Sequence, residues 1–376
     1  MTLRQFIADE IRRDGPMPFS RYMELCLYHP ELGYYSRAAE QFGKAGDFYT
    51  SSDVHAVFGR LLARQFEEMW RALDSPERID VIELGPGRGL FAGDVLDWSA
   101  KQFPHFARAL RYQLVEQSPT FRARLQERLS NHIASGRAAV FKSLESAALA
   151  TGQDLIVFAN EFFDALPVEI VDHRGSVRVV ENGDRFAEQF APPSPAELAF
   201  LDNYSIHPER GERVEASLAA LPWMDRIASA FNGRRGFVVL IDYGYTREEQ
   251  LAGRHRDTLM TYRRHRAGTS PYEAPGEQDI TAHVNFTALR SRASDIGLTP
   301  IALLTQSQFL LGIGEETQFA DAFQDCKLPQ ERAKVALQLK HLISPEAMGE
   351  TFQVLLLSHD VAEAKATRLG GLKLAR

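Results

Sequence analysis

The stretch VIELGPGRGL (81–90) carries an apolar run to a carboxylate, Glu83, and follows it with Gly85, Gly87 and Gly89. Glycine lets a backbone take positive φ and come close to a ligand, so such a run after a strand can cradle a small molecule. The spacing is G-x-G-x-G. The dinucleotide fingerprint G-x-G-x-x-G would need a third glycine where Leu90 stands. The acid narrows the guest further: Glu83 would repel a pyrophosphate but suits a group bearing an ammonium. A second apolar run, YQLVE (112–116), ends on Glu116. A carboxylate at the end of a second strand can accept hydrogen bonds from two ribose hydroxyls.

A ribose with a cationic amino-acid tail describes S-adenosylmethionine. An acid and G-x-G-x-G after one strand, then an acid after the next, is the pattern of Rossmann-like class I methyltransferases. FANEFFDALP (158–167) places Asn160, Glu161 and Asp164 after a further apolar run, with Phe162 and Phe163 able to wall a pocket. If the methyl acceptor is an arginine, its guanidinium must be held and must lose a proton although its free pKa exceeds 12. Carboxylates such as Glu161 and Asp164 meet both needs. Turn capping by Asp164 and a cation pair for Glu161 are the plainer alternatives. AGDFYTSS (45–52) puts Asp47, Thr50 and Ser51 at the start of a long amphipathic segment. There they either cap a helix or help its free N–H groups hold the cofactor's carboxylate. Asp242 in IDYGY and His283 in GEQDITAHVNF are further polar candidates whose roles stay open.

These residues need a frame. Apolar runs at 79–84, 112–116, 138–142, 154–160 and 234–244 alternate with helical segments, among them 118–130 with Pro119 at its start. That alternation predicts an α/β fold: a mostly parallel sheet, buried on both sides, with helices on both faces. An N-terminal helical extension precedes it, in which Ser20 is placed to cap a second helix. Residues 51–73 read as a long helix with Val57, Phe58, Leu61, Leu62, Phe66, Met69 and Trp70 on one face. Two insertions interrupt the core. Residues 168–192 read as β-hairpins turning at Arg174-Gly175 and Asn182-Gly183. Residues 245–285 are polar with little periodicity, as expected of a lid. The boundaries drawn are 1–75 (helical region), 76–167 (core), 168–208 (hairpin insertion), 209–244 (core), 245–285 (lid) and 286–376 (core, with a late strand at 352–358).

Composition bounds the function. With 376 residues, 44% hydrophobic and 25% charged, the chain has the make-up of a globular protein. Its net charge of −7 argues against a nucleic-acid partner. Cys26 and Cys326 form no CxxC pair, and the histidines show no ligand spacing, so no metal is expected. The cysteine usage and the acid-bearing N-terminus predict a cytoplasmic location, and no run is long enough for a membrane span.

Ten motifs in order, from HPELGYYS through FGKAGDFYTSS, IELGPGRGLFAGDVL, VEQSP, ANEFFDALPVE, LIDYGY, TLMTYRRH, PGEQDITAHVNF and TQSQFLLGIG to MGETFQVLL, resemble the MidA family. The resemblance implies a class I methyltransferase core that uses S-adenosylmethionine. It also implies the protein arginine acceptor of the mitochondrial members, which assist respiratory complex I assembly; a subunit of such a complex is the implied kind of partner. Gly85, Gly87, Gly89 and Glu83 match the family's cofactor loop, Glu116 its second-strand acid, and Asn160, Glu161 and Asp164 its post-strand motif. Asp47 and Thr50 match its N-terminal loop. TSSD (50–53) departs from the usual TSPE, and FQVL from FKVL. Without a transit peptide, the sequence reads as a bacterial member. Two rivals remain: an assembly chaperone that binds the cofactor without catalysis, and a nicotinamide oxidoreductase.

Overall fold

The computed structural model describes residues 1–36, 56–263, 266–268 and 270–375. The chain forms two compact units. One comprises Tyr49–Glu161, Asp225–Tyr243 and Ala293–Arg376; the other comprises Met1–Phe48, Phe162–Met224 and Gly244–Arg292.

The first unit is built on a sheet whose strands lie side by side in the order Thr299–Thr305, Phe352–His359, Arg235–Tyr245, Asp154–Asn160, Ile79–Leu84, Leu110–Val115, Ala138–Phe141. Phe352–His359 runs against both its neighbours; the other pairings are parallel. The chain starts mid-sheet at Ile79–Leu84 and steps outward to Ala138–Phe141. It then returns to lay Asp154–Asn160 on the other side of the first strand. This reversal is a topological switch point, and a crevice for ligand opens beyond the carboxyl ends of the strands there.

Continuous apolar sequence makes these strands because both faces are covered: every residue of Ile79–Leu84 is buried. The helix Ala56–Ala72 buries the predicted stripe, from Val57 to Trp70; the first residues expected of it, 51–55, lie outside the described residues. Its Phe66 meets the Phe158 ring edge-on at 5.6 Å, and Phe91 stacks on Phe158 at 4.5 Å. Pro119–Arg128 begins as expected, with the Ser118 hydroxyl accepting the Phe121 N–H. One strand was not foreseen. Thr299–Thr305 is largely half-exposed at the sheet edge and carries Pro300, so it lacks the apolar signature of its neighbours.

The second unit holds an antiparallel sheet ordered Met17–Pro18, Gly175–Asn182, Glu169–Asp172, Arg213–Ala216, with Arg185–Ala191 also paired to Gly175–Asn182. The hairpins form, but their turns sit one residue from the expected places. Asp172 pairs with Gly175 and Asn182 with Arg185, leaving 173–174 and 183–184 as the turns. Ser20 does not cap its helix: Pro18 is the N-cap of Phe19–Tyr28, and the Ser20 hydroxyl donates to Glu169. The stretch 245–285 is more ordered than its sequence suggests. It contains the helix Arg247–Leu251 and a small sheet in which Met260–Arg263 lies between Arg266–Gly268 and Asp279–Thr281.

The units also divide the chain differently from the boundaries drawn on sequence. Ala56–Ala72 falls in the sheet unit rather than with the N-terminal helices, because its stripe packs against that unit's core. Arg213–Ala216 falls with the insertion, because it pairs with Glu169–Asp172.

Within the sheet unit, a Cβ added at Gly59 would lie 2.6 Å from the Asp94 Cβ of the helix Leu90–Gln102. The two helices approach too closely for a side chain there. Gly59→Val is expected to destabilise the protein by about 1–3 kcal/mol. Urea unfolding with an unchanged m-value is the check.

Candidate functional site

The three acids and amides expected after apolar runs stand at the ends of adjacent strands. Glu83 lies opposite Leu114 on one side and Phe158 on the other, and Asn160 lies opposite Ile241. Glu116 follows Leu110–Val115 directly, its N–H donating to the Phe141 carbonyl at 3.0 Å. Glu83, Glu116 and Asn160 are therefore collected at one edge of one sheet, at and beside the switch point.

The loop between them uses its glycines as the spacing implied. Gly85, Gly87 and Gly89 all have positive φ, at 64°, 51° and 73°. Two close approaches fix the turn: the Gly85 N–H donates to the Val115 carbonyl at 3.1 Å, and the Gly89 N–H to the Pro86 carbonyl at 2.8 Å. Gly89 is also the left-handed N-cap of Leu90–Gln102, and a Cβ there would strike Leu125 at 2.6 Å. Over Gly87 there is open space, with nothing within 4 Å of where a Cβ would stand. The backbone is therefore bare on that side, as a ligand cradle requires.

Glu83 is 4% exposed, and burial pushes its carboxyl up to about 8. Tyr112 is its titratable neighbour, and burial followed by the Glu83 charge holds that phenol well above its ordinary value. The two groups are close, yet neither Glu83 Oε2 nor Tyr112 Oη completes a hydrogen bond of good geometry among the described residues. Asn160 Oδ1 is likewise buried without a donor, while its Nδ2 donates to Glu161 Oε1 at 3.2 Å. Unsatisfied buried acceptors cost roughly 1–3 kcal/mol each and call for a donor. An ammonium carries three donors and a positive charge, which fits this edge.

Glu116 is half-buried. Burial pushes it up to about 7 against the opposing Ser118 N–H, which reaches its Oε1 at 2.7 Å. Glu161 has φ 50°, a left-handed conformation unfavourable for a side-chain-bearing residue, and its N–H donates to the Ile241 carbonyl at 3.0 Å. Such strain often accompanies a functional position.

In alignments of curated proteins this chain is 30% identical over 381 residues to the zebrafish (Danio rerio) mitochondrial protein arginine methyltransferase NDUFAF7, covering 94% of this chain and 86% of that one. The human NDUFAF7 is 26% identical, with 93% and 81% covered. A Burkholderia thailandensis crystal structure bound to S-adenosyl-homocysteine superposes with a TM-score of 0.82 at 30% identity, over 97% of this chain and 94% of that one. A family model described as an S-adenosyl-L-methionine-dependent methyltransferase matches residues 61–303. The chain belongs to the MidA-like family of methyltransferases. As a member it uses S-adenosylmethionine, and the nicotinamide alternative falls away.

Asp47, Thr50 and Ser51 lie outside the described residues. Asp164 falls in the second unit, 3% exposed, where its carbonyl accepts the Ala282 N–H at 3.0 Å. Its charge acts on Tyr35 and Tyr262, as does that of Asp279, whose Oδ1 accepts the Tyr35 hydroxyl at 2.9 Å. Two buried carboxylates and two phenols are thus grouped in one unit. Asp242 lies inside the strand Arg235–Tyr245, opposite Gln353, rather than in a strand-end turn, and its Oδ1 accepts the N–H of Tyr243 at 3.0 Å. His283 Nδ1 is 3.2 Å from His255 Nδ1, and burial lowers its pKa to about 4, so the ring is neutral at physiological pH.

Tyr112, Tyr35 and Tyr262 were not singled out in the sequence. For Tyr112 the sequence shows only that in YQLVE it shares a face with Leu114; the parallel register Val81↔Tyr112, which puts it on the face of Glu83, appears only once the strands pair.

The burial of Glu83 has a sign that can be read. Its folded pKa near 8 lies above its ordinary 4.5, so folding takes up a proton between those values. Stability from this group is therefore present below about pH 4.5 and is lost as pH rises towards 8, by a few kcal/mol at most. Relative to Glu83→Gln, the ligand-free protein is expected to lose stability steadily from pH 5 to 8 in urea unfolding. Glu116 and Glu215 titrate in both proteins and cancel in the difference. Parallel curves would show that position 83 is ionised in the folded protein.

Proposed function

We propose that this protein transfers the methyl group of S-adenosylmethionine to the guanidinium of an arginine in a partner protein. The observation that carries the reading is that the chain holds, in one unit, a strand edge suited to a cation and sugar and, in the other, a group of buried acids. Asp164 and Asp279, among Tyr35 and Tyr262, suit a planar cation. The names of the NDUFAF7 relatives support the same acceptor.

When bound, S-adenosylmethionine supplies a methyl group on a positively charged sulfur. Glu83 and Asn160 hold the ammonium of its amino-acid tail, and Glu116 holds the ribose hydroxyls. Gly85, Gly87 and Gly89 let the backbone close around it. Glu161 and Asp164, three residues apart in the chain, orient the acceptor guanidinium and take its proton. As a terminal nitrogen forms its bond to carbon, the carbon–sulfur pair stays with sulfur and one N–H proton passes to a carboxylate. Positioning does most of the work, because the acceptor must lie in line behind the methyl carbon.

We also read the protein as a cytoplasmic, bacterial member. The bacterial structure at 30% identity and the two free cysteines, Cys26 and Cys326, support this.

The acceptor is tested by mass spectrometry of arginine methylation in cells with and without the gene. Loss of a methylarginine on at least one protein is the expected result, and identical methylation profiles would sink the reading. Glu116→Ala is expected to weaken S-adenosyl-homocysteine binding about 10-fold or more in calorimetry, since a lost bond to a charged group costs about 1.5–3 kcal/mol. Asp164→Ala is expected to keep that affinity and lose methyl transfer to a cell lysate in a radiolabel assay. Retained transfer would remove Asp164 from the chemistry.

A further inference from the structure

At the opposite end of the same sheet, where Leu110–Val115 and Ala138–Phe141 begin, an open cleft of about 600 Å³ is lined by Arg108, Arg111 and Arg137 together with His105, Pro104 and Ser135, and by no carboxylate among the described residues. Tyr112 pairs with Ala138, so Arg111 and Arg137 are the preceding neighbours on adjacent parallel strands. Strands lie about 4.8 Å apart, and like charges set side by side at that spacing repel. No carboxylate in the cleft relieves them. Arg111 Nη1 donates to the carbonyls of Arg108 at 2.9 Å and Leu110 at 2.8 Å. Arg137 Nε donates to the Ser135 hydroxyl at 3.2 Å, and Arg108 Nη2 meets His105 Nδ1 at 2.7 Å. Every one of these partners is neutral or a potential cation. They orient the guanidiniums without neutralising them, and each guanidinium keeps further donors of its five.

We propose that this cleft docks an acidic segment of a protein partner, with two or more Asp or Glu side chains laid across the three guanidiniums. Three features favour an extended row of carboxylates over a compact phosphate or a nucleotide. The helix Pro104–Ala109 presents its C-terminal carbonyls near the cleft, where a phosphate site would use backbone N–H donors. Among the residues lining the cleft, none is an aromatic that would stack a base, apart from the His105 ring held by Arg108. Arg108, Arg111 and Arg137 stand on a helix, on a strand and just before the next strand, so a row of carboxylates can meet them one by one. The chain as a whole carries a net charge of −7, which makes this basic cleft a local exception suited to an anionic partner. The cleft lies a strand's length from the glycine loop, about 20 Å, so a partner held here is gripped away from the methyl-transfer edge. The inference stands independently of which side chain is methylated.

The test uses the full-length protein and a fluorescent decaglutamate peptide as probe, read by anisotropy. Binding is expected to weaken steeply between low and physiological salt. In Arg108→Ser/Arg111→Ser/Arg137→Ser it should weaken at least about 10-fold. That variant should bind S-adenosyl-homocysteine as the unmodified protein does, which shows that the sheet has formed. No peptide binding, or equal binding by the variant, overturns the proposal. Displacement of the peptide by inorganic phosphate or a short DNA duplex at concentrations below those of unlabelled peptide also overturns it, in favour of a phosphate ligand or nucleic acid. If the variant loses S-adenosyl-homocysteine binding, the single change Arg137→Ser is measured instead, and unchanged peptide affinity there counts against the cleft.

Discussion

Burying a carboxyl group among aliphatic and aromatic side chains costs stability, and the sheet unit accepts that cost at Glu83. The position is flanked in register by Leu114 and Phe158, and nothing among the described residues offers it a positive charge. Such a group stays protonated, or it waits for a cation. The switch point is where such a cation can arrive, since there alone the parallel strands part and their ends face a crevice. The glycines beside it have the same logic. They give up side-chain packing so that the backbone can stand bare beside the guest. Several local violations of good packing fall at this edge, namely the Glu83 and Asn160 oxygens without a hydrogen-bond partner among the described residues and the strained Glu161.

The second unit treats acids differently. Asp164 and Asp279 are as buried as Glu83, but Asp279 has a phenol and a backbone N–H that donate to it. Tyr35 and Ile280 both donate to Asp279, which keeps an ionised form tolerable. Glu83 is thus suited to gaining a charge when a ligand binds, while the donors around Asp279 favour its ionised form beforehand. That contrast matches the two tasks of the reaction class: holding a preformed cation, and taking a proton from an acceptor.

Much of this was legible in the sequence because it depends on local patterns. An apolar run ending on an acid, followed by G-x-G-x-G, sets strand, turn and helix within a dozen residues, and Glu83, Glu116 and Asn160 stand at neighbouring strand ends accordingly. What escaped depends on pairing. Tyr112 becomes relevant only through its register with Val81, which no single strand reveals. Thr299–Thr305 looks like a loop because an edge strand beside Phe352–His359 needs no continuous apolar face and tolerates Pro300. The small sheet within 245–285 is built from short, polar, edge-like strands whose periodicity is too brief to read. The hairpin turns shifted by one residue because a glycine can serve inside a turn or at its border. Ser20 was free to cap a helix but found a buried Glu169 instead, a partner 149 residues away.

The antiparallel strand Phe352–His359 has a consequence for how the molecule is made. It occupies a slot between Arg235–Tyr245 and Thr299–Thr305, both of which leave the ribosome earlier. Until it emerges, Arg235–Tyr245 carries an unpaired edge, and Thr299–Thr305, whose one strand partner among the described residues is Phe352–His359, has nothing to pair with. The nascent chain therefore spends the last stage of its synthesis with open β-edges that could pair with another molecule. Slow translation near the end, or a premature stop before residue 352, would leave a gap in the sheet rather than a missing tail, and would favour aggregation over a merely shortened enzyme.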